Sequence, residues 1–151
     1  MDNLPEEKRH TRVSGLLSLL KARRPPVVHK EASIEEVIDT TIRFEHSRLV
    51  YVLDDEDRLA GVISLGDLVR HVFSRSHVPK IHPRSIISMI ATKTAEDIMR
   101  KNVLFTTKNE EVEAVLKKMI HANVKEIAVV DGDRRIVGDI TVVDLLQYLF
   151  S

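Results

Sequence analysis

An internal repeat limits the folds open to this chain more than any other feature of its sequence. The segments Gly61–Asp67 (GVISLGD) and Gly138–Asp144 (GDITVVD) share one pattern, in which a glycine is followed at fixed spacing by serine or threonine and then by aspartate. Both the glycines and the aspartates lie 77 positions apart in the 151-residue chain. One copy is too short to bury the face of a sheet by itself, so we expect the two copies to pack on each other.

A β-hairpin is predicted in front of each copy of the pattern. Apolar runs begin at Val50 and Ile127, each eleven residues before its glycine. A charged turn follows each run, and an apolar run, a polar turn and a second apolar run are typical of a hairpin. The Asp131-Gly132 step in the second turn is expected to supply the positive φ angles of a tight turn.

Helical periodicity is present on both sides of each hairpin. Short extended stretches at residues 26–29 and 104–107 precede the first helices, and each signature aspartate is followed by another apolar helix. Ser33 and Glu36 predict a capping box, and Asn109 is the expected N-cap of the corresponding helix in the second half. Each half therefore predicts the order strand, helix, strand, strand, helix. The periodic residues are Ile34, Val37, Ile38 and Ile42 in one half, and Val112, Val115, Leu116, Met119 and Ile120 in the other.

The composition argues against several classes of function. Lysine plus arginine equals aspartate plus glutamate at 23 each, so the chain lacks the basic excess typical of a nucleic-acid-binding protein. Without cysteine it has no disulfides and no cysteine-bound zinc. His71, His77 and His82 are spaced by six and five residues, which does not match a helical pair of metal ligands. We therefore expect no metal site and no nucleic-acid partner.

Other patterns bear on catalysis and location. The sequence contains no P-loop, no glycine-rich dinucleotide fingerprint and no Ser-His-Asp order, so we expect no enzyme activity. Its apolar runs are far shorter than the ~18 residues that span a bilayer, and the first ten residues do not form a signal peptide. We expect a cytoplasmic protein without a membrane partner.

Two arginines follow the predicted N-terminal helix. That helix has its apolar residues at Val13, Leu16, Leu17 and Leu20. Cations stabilise the C-terminus of a helix, so capping is the expected role of Arg23 and Arg24. Phosphate binding is the alternative.

The repeated arrangement resembles the CBS (cystathionine-β-synthase) motif, and the tandem resembles the Bateman module that two such motifs form. The resemblance covers roughly residues 12–150. It implies an α/β fold, an α+β sandwich of two pseudosymmetric β-α-β-β-α motifs, with two clefts where the halves meet. We assign residues 1–24 to an N-terminal tail and helix, 25–73 to the first motif, 74–93 to a connector and 94–151 to the second motif.

This resemblance implies a regulatory function. Clefts of this family commonly bind AMP, ADP or ATP, and sometimes S-adenosylmethionine, so an energy-sensing module without an obligatory cofactor is expected. Ligand binding would be transmitted through a homodimer to an unknown effector protein. The helix residues Leu145, Leu146, Leu149 and Phe150 are expected to form an apolar face for that dimer. A ligand-free structural dimerisation or docking domain is the alternative.

By resemblance, the signature residues would hold the sugar of the ligand. Asp67 and Asp144 would accept hydrogen bonds from the ribose hydroxyls, which suits a carboxylate because charge-assisted bonds are strong. Ser64 and Thr141 would contact ribose or phosphate. However, the Ser/Thr-x-x-Asp pattern is also a capping box, so these residues can cap helices without any ligand.

The resemblance also assigns residues for adenine and phosphate. The strands before the first helices would line the adenine pockets, and the basic residues just before the hairpins would meet phosphate. These residues are Val28, His29, Thr106 and Thr107 for adenine, and Arg48 and Lys125 for phosphate. Asp139 stands where the family has an apolar residue. Because a carboxylate repels phosphate, we expect the two clefts to differ, with the one near Asp139 preferring AMP or adenosine over ATP, or being empty.

Overall fold

Two compact units make up the protein in this computed structural model, which describes residues 4–20, 23–73 and 93–151. The first unit is Pro26–Val103, and the second combines Met1–Pro25 with Leu104–Ser151. Each unit contains one copy of the repeat. All of the predicted connector except Lys93 lies outside the described residues, as do His77 and His82. The motif boundaries assigned from the sequence stay predictions.

Both copies of the repeat have the strand and helix order that the sequence predicts, which confirms the α/β class. The longest described helix has 11 residues, and no described helix is long and apolar enough to cross a membrane. In chain order the described elements are α1 (Glu6–Arg9), α2 (Val13–Leu19), β1 (Val27–His29), α3 (Ile34–Arg43), β2 (Leu49–Leu53), β3 (Leu59–Ser64), α4 (Leu65–Phe73), α5 (Ala95–Ile98), β4 (Phe105–Thr107), α6 (Val112–Ala122), β5 (Glu126–Val130), β6 (Ile136–Thr141) and α7 (Val142–Phe150).

Each unit contains a three-stranded mixed sheet. In the first unit β1 is parallel to β2, and β2 is antiparallel to β3. The second unit repeats this pattern with β4, β5 and β6. The hairpin registers place Ser64 opposite Leu49 and Thr141 opposite Glu126. Each signature hydroxyl therefore lies at the end of a hairpin, directly before a helix.

The hairpin turns differ from the prediction in one respect. The positive φ angles belong to Asp57 and Arg134, at 62° and 64°, and Gly132 does not adopt one. Instead, each turn is closed by its first aspartate: Oδ1 of Asp131 accepts the backbone N–H of Asp133 and of Arg135, at 2.9 Å each. These backbone hydrogen bonds hold the pKa of Asp131 below its usual value. The Asp131 side chain therefore stabilises the second turn, and the positive φ angle expected at Gly132 is found at Arg134 instead.

In the first unit, α3 packs its apolar face on the sheet. The Ser33 hydroxyl accepts the Glu36 amide at 3.2 Å, which confirms Ser33 as the N-cap and the Ser33 half of the predicted capping box. Apolar burial is the main stabilising contribution in a domain of this size. The buried cluster consists of Val28, Ala32, Ile34, Val37, Val50, Val52, Ile63, Leu68 and Ala95.

The second unit has a comparable core, but its helix α6 begins differently from the prediction. Glu111, not Asn109, occupies the N-cap, and it makes no side-chain capping bond. The N-terminal segment takes over that role, because the Val112 amide donates to the Thr11 carbonyl at 2.8 Å. The buried cluster consists of Val13, Leu16, Val112, Val115, Met119, Ile127, Val129, Ile140, Leu145 and Leu149.

The predicted apolar face of α7 is only partly correct. Leu145 and Leu149 are buried in the core of the second unit, whereas Leu146 and Phe150 are exposed. The helix therefore has one face for its own core and a second, narrower apolar strip at the surface.

Candidate ligand-binding site

The signature residues of the first unit meet where β3 ends and α4 begins. The Ser64 hydroxyl accepts the amide of Asp67 at 3.0 Å. The amide of Leu65 donates to the carbonyl of Arg48 at 2.8 Å. Predicted sugar and phosphate residues therefore lie together at the start of one helix, where the helix dipole favours anions.

Asp67 is bound by two arginines that the sequence analysis did not single out. Its Oδ2 accepts Nε of Arg100 at 2.6 Å, and its Oδ1 accepts Nη2 of Arg100 at 2.9 Å and also Nη2 of Arg70. The Asp67 side chain is 17% exposed, while those of Arg70 and Arg100 are 68% and 66% exposed. The hydrogen bond from Arg100, together with the bonds from Arg70 and Ser64, lowers the pKa of Asp67 to about 2. One carboxylate thus lies between two guanidinium groups.

The position of Arg100 is fixed through its backbone. It exchanges two backbone hydrogen bonds with Val62, at 3.0 and 2.8 Å. The segment Met99–Arg100 passes so close to Gly61 that a β-carbon there would contact the Met99 side chain and lie 2.9 Å from the Arg100 carbonyl oxygen. The signature glycine is therefore needed for this close approach.

In the second unit, the corresponding residues form a complete capping box. Thr141 accepts the Asp144 amide at 3.1 Å, and the Thr141 amide donates to Asp144 Oδ2 at 2.8 Å. The amide of Val142 donates to the Lys125 carbonyl at 2.9 Å, as Leu65 does to Arg48. The capping alternative raised from the sequence is therefore observed here.

Arg23 forms a two-bond salt bridge with the carboxylate of Asp144. Its Nη1 and Nη2 donate to the two oxygens of Asp144 at 3.0 and 2.7 Å. Its Nε and Nη2 both reach Oδ1 of Asp139 at 3.3 Å, and Nη2 also reaches the Asp139 carbonyl at 3.1 Å. The predicted helix-capping role of Arg23 is wrong, because α2 ends at Leu19 and the guanidinium is committed to these two carboxylates.

This cluster is much less exposed than the one around Asp67. The side chains of Arg23, Asp139 and Asp144 are 23%, 1% and 7% exposed. Burial, the largest single influence, would by itself raise the pKa of Asp144, but the hydrogen bonds from Arg23 and Thr141 and the charge of Arg23 together outweigh burial and lower it. Burial alone would lower the pKa of Arg23, yet its bonds to both aspartates raise it. Displacing Arg23 would take from two buried carboxylates the guanidinium that they share, which is strongly unfavourable.

One signal in the sequence could have identified these arginines. Arg23 and Arg100 are separated by 77 residues, the same offset as the glycines and aspartates of the signature. They lie in the segments before β1 and β4, outside the hairpins, so the repeated hairpin pattern does not include them. Arg70 has no such signal, since its repeat equivalent is Gln147.

The predicted adenine residues are not brought close to Asp67 within the first unit. Val28 is buried in the sheet and His29 pairs with Leu53, at the far end of β2 from Leu49. Four residues of strand correspond to about 13 Å. The exposed His29 has its Nε2 3.7 Å from an oxygen of Asp57. The adenine role of these residues stays a prediction.

The same holds in the second unit for the two threonines of β4. Thr106 is buried and its hydroxyl donates to Glu110, whereas Thr107 is exposed and pairs with Val130. Their role toward adenine is likewise still a prediction. Within residues 4–20, 23–73 and 93–151, no group of three or more His, Asp or Glu side chains is arranged to hold a metal ion.

Each of the two units therefore joins a β-α-β-β-α repeat to a signature serine or threonine and an aspartate at a helix start, so the chain contains the same structural motif twice. The family model described as "CBS domain" matches residues 17–74 and 95–151. The chain therefore belongs to the CBS domain family and contains two CBS motifs.

Solved structures of CBS proteins share this fold. A CBS domain-containing protein from Thermotoga maritima is 31% identical, with a TM-score of 0.72 over 93% of this chain and 95% of that one. The CBS domain pair of protein MJ0100, in complex with 5′-methylthioadenosine and S-adenosyl-L-methionine, is 26% identical, with a TM-score of 0.66 over 91% and 94%. The cytosolic domain of the Mg²⁺ channel MgtE, in complex with ATP, is 27% identical, with a TM-score of 0.62 over 83% and 45%.

A curated relative is considerably longer than the matched region. The L-aspartate semialdehyde sulfurtransferase of Methanocaldococcus jannaschii is 28% identical over 145 residues, which is 95% of this chain and 24% of the relative. The chain thus spans about a quarter of that protein.

Proposed function

We propose that this chain is a regulatory CBS pair that binds an adenosine-containing ligand at Asp67 and has no catalytic role of its own. The observation that carries the proposal is the position of the Asp67 carboxylate and the exposure of its arginine partners. It lies at a helix start, beside the Ser64 hydroxyl, and its arginine partners are mostly exposed. Exposed ion pairs contribute little to stability, so ribose hydroxyls can replace them.

Related structures support this ligand class. The MJ0100 pair was solved with 5′-methylthioadenosine and S-adenosyl-L-methionine, and the MgtE domain with ATP. These ligands share an adenosine moiety, with the vicinal hydroxyls that a carboxylate accepts as a pair. AMP, ADP and ATP are therefore the first candidates for this chain, and S-adenosylmethionine is the next. Discrimination among the three nucleotides would make the module a sensor of energy state.

The Asp144 site is expected to remain closed to such ligands. Both oxygens of its carboxylate are already occupied by Arg23, and the pair is nearly buried. A ligand there would have to replace a charge-assisted, partly desolvated contact with two neutral hydroxyl donors. We therefore propose one working site in each chain.

Isothermal titration calorimetry tests this proposal. The protein is titrated with ATP, AMP, adenosine and S-adenosylmethionine. We expect at least one ligand to bind with a stoichiometry of one per chain, and Asp67→Ala to weaken that binding about 30-fold or more, because two charge-assisted hydrogen bonds are lost. Asp39→Ala is the matched control, since Asp39 is an exposed aspartate on α3, and it should leave the affinity unchanged.

The Asp144→Ala variant completes the comparison. If it remains folded, it should retain the ligand with nearly the wild-type affinity. Equal losses in the Asp67 and Asp144 variants would contradict the assignment to a single site. No binding of any of the four ligands by the folded protein would reject the proposed function.

A homodimer formed through the helices after the signatures is the second part of the proposal. Large apolar side chains are exposed on both of these helices. Beside α7, a cavity of about 280 Å³ is lined almost entirely by aliphatic residues of the second unit. Such surfaces mark sites of association. The exposed residues are Val69 and Phe73 on α4, and Val143, Leu146 and Phe150 on α7.

Light scattering after size-exclusion chromatography tests the dimer. The wild-type protein should have the mass of two chains, and Phe150→Glu should reduce it to that of one, because a charge would be buried in an apolar interface. Ile42→Glu is the control, since Ile42 is equally exposed but lies on α3. A monomeric wild type, or a Phe150→Glu variant that is still dimeric, would reject this part of the proposal.

The ligand-free docking domain is retained as the second candidate function. This candidate is supported by the complete capping box of Thr141 and Asp144 and by the Arg23 contacts, because these contacts give signature residues a structural role that needs no ligand. A protein that is dimeric but binds none of the four ligands would favour this candidate.

A further inference from the structure

We infer that Met99 is a site of oxidation by peroxide, and that its conversion to the sulfoxide releases Arg100 from Asp67. Three observations support this modification site: the packing of Met99 on Gly61, the backbone contacts of the residue that follows, and the different side chain over the equivalent glycine of the second unit. The site goes beyond the proposed function, since it requires no bound ligand.

Met99 covers the signature glycine of the first unit. Its sulfur and its γ-carbon lie against the position that a β-carbon on Gly61 would occupy, the γ-carbon at 2.7 Å. The Met99 side chain is half-buried and packs against the apolar cluster of that unit. A thioether is apolar and adaptable in its reduced form, which suits this close contact with a glycine. Because the residue is partly exposed, a small oxidant can reach its side chain.

The other methionine in the described part of the chain is protected. Met119 is 1% exposed in the core of the second unit. Met1 and Met89 lie outside the described residues. Since an oxidant must reach the sulfur before it can react, we expect Met99 to be oxidised well before Met119.

The second unit covers its signature glycine with a side chain that peroxide does not attack. A β-carbon on Gly138 would meet carbon atoms of Leu17, the nearest at 2.9 Å. Leucine has no sulfur, so this contact is the same before and after exposure to peroxide. Sensitivity to oxidant at the signature glycine therefore belongs to the first unit. The same contact shows that leucine can pack over a glycine of this signature, which makes Met99→Leu a conservative variant.

Peroxide oxidises a methionine by transferring one oxygen atom to it. The O–O bond of hydrogen peroxide breaks, an S–O bond forms at Sδ, and the second oxygen leaves as water. The sulfur loses two electrons, and the peroxide takes them up. The product has a polar S–O group on a side chain that packs on Gly61 and on apolar residues. Because burial of a polar group without a hydrogen-bond partner is costly, the oxidised Met99 side chain is expected to leave this position.

Arg100 is coupled to Met99 because both belong to one short segment that pairs with β3. The Arg100 amide donates to the Val62 carbonyl at 2.8 Å, and the Val62 amide donates to the Arg100 carbonyl at 3.0 Å. When the Met99 side chain leaves Gly61, these two bonds open and the guanidinium loses its place beside Asp67. Oxidation of one sulfur atom thus changes the surroundings of the carboxylate at the start of α4.

The test uses the full chain, treated with hydrogen peroxide until peptide mass spectrometry shows that Met99 is oxidised. The hydrogen bond from Arg100 is the largest cause of the low pKa of Asp67, which is about 2. In an NMR titration down to about pH 3, reduced protein should keep Asp67 ionised, and oxidised protein should begin to protonate it. The midpoint of thermal unfolding should fall by about 3 °C or more. Treatment with methionine sulfoxide reductases should restore both properties.

Three variants separate Met99 from other causes. Met99→Leu keeps the side-chain volume without the sulfur, so peroxide should change neither the Asp67 titration nor the unfolding midpoint. Met119→Leu keeps Met99 and should respond to peroxide as the wild type does. Arg100→Gln should raise the pKa of Asp67 without any oxidant, because the guanidinium is absent.

Three results would contradict this modification site. If Met99 stays reduced at peroxide concentrations that oxidise Met119, the site itself is overturned. If Met99 is oxidised and the Asp67 titration does not change, its link to Arg100 is overturned. If Met99→Leu responds to peroxide as strongly as the wild type, another residue is responsible and both parts are overturned.

Discussion

Replacing Arg23 with methionine is expected to lower the free energy of unfolding by about 3 kcal/mol. Methionine retains most of the side-chain volume but leaves Asp139 and Asp144 buried without their shared cation. Breaking a buried pair in this way is costly because the remaining charges stay desolvated. Urea unfolding followed by circular dichroism at neutral pH measures the effect.

Two further variants test whether buried charge is the cause. Arg100→Met removes the equivalent arginine from a pair in which the guanidinium is mostly exposed and Asp67 keeps a bond from Arg70, so its unfolding midpoint should stay close to that of the wild type. In the double variant Arg23→Met/Asp139→Val, valine replaces aspartate as in the first unit, and this should recover part of the lost stability. A stable Arg23→Met protein, or equal losses in the two single arginine variants, would contradict this interpretation of the Arg23 cluster.

A second large effect is expected from Gly61→Ala. A β-carbon at this position would collide with the Met99 side chain and lie 2.9 Å from the backbone oxygen of Arg100. Because the backbone must shift, we expect a loss of about 2 kcal/mol in the free energy of unfolding. Ligand affinity should fall as well, since the same segment holds Arg100 beside Asp67.

Gly138→Ala provides the matched control for this variant. At Gly138 the nearest atom is a methyl group of the Leu17 side chain, at 2.9 Å, and a side chain can move aside more easily than backbone. Its stability loss should therefore be clearly smaller than that of Gly61→Ala. Thermal unfolding of both variants measures the difference, and equal losses would show that backbone crowding at Gly61 is not the cause.

Local sequence signals predicted the fold because the repeat encodes each element twice. The hairpins, the order of elements and the Ser33 cap all depend on short-range spacing and propensity, which can be recognised without tertiary information. The CBS signature itself followed from two matching copies. These features confirm the family and the α/β class.

Details that depend on distant residues were not predictable in this way. The N-cap of α6 was misplaced because the Thr11 carbonyl, about a hundred residues away in sequence, accepts the first amide of the helix. Arg23 was assigned to its own helix because no local pattern reveals that it reaches Asp139 and Asp144. A charged side chain with an expected local role can therefore have its main contacts elsewhere in the fold.

The same difference between local and long-range contacts applies to the predicted ligand residues. Ser64, Asp67 and Arg48 lie together because they flank one strand-to-helix junction. Their equivalents Thr141, Asp144 and Lys125 also lie together. There, however, Arg23, which is distant in sequence, binds both oxygens of the Asp144 carboxylate. We propose that Arg23 keeps a ligand from Asp144, and Arg23 is distant from Asp144 in sequence.

A crystal structure of the protein grown with ATP tests the central claim most directly. The account predicts a nucleotide whose ribose hydroxyls contact Asp67, while Arg23 remains bound to Asp139 and Asp144. A nucleotide bound to Asp144 with Arg23 displaced, and with Asp67 still paired to Arg100, would contradict it.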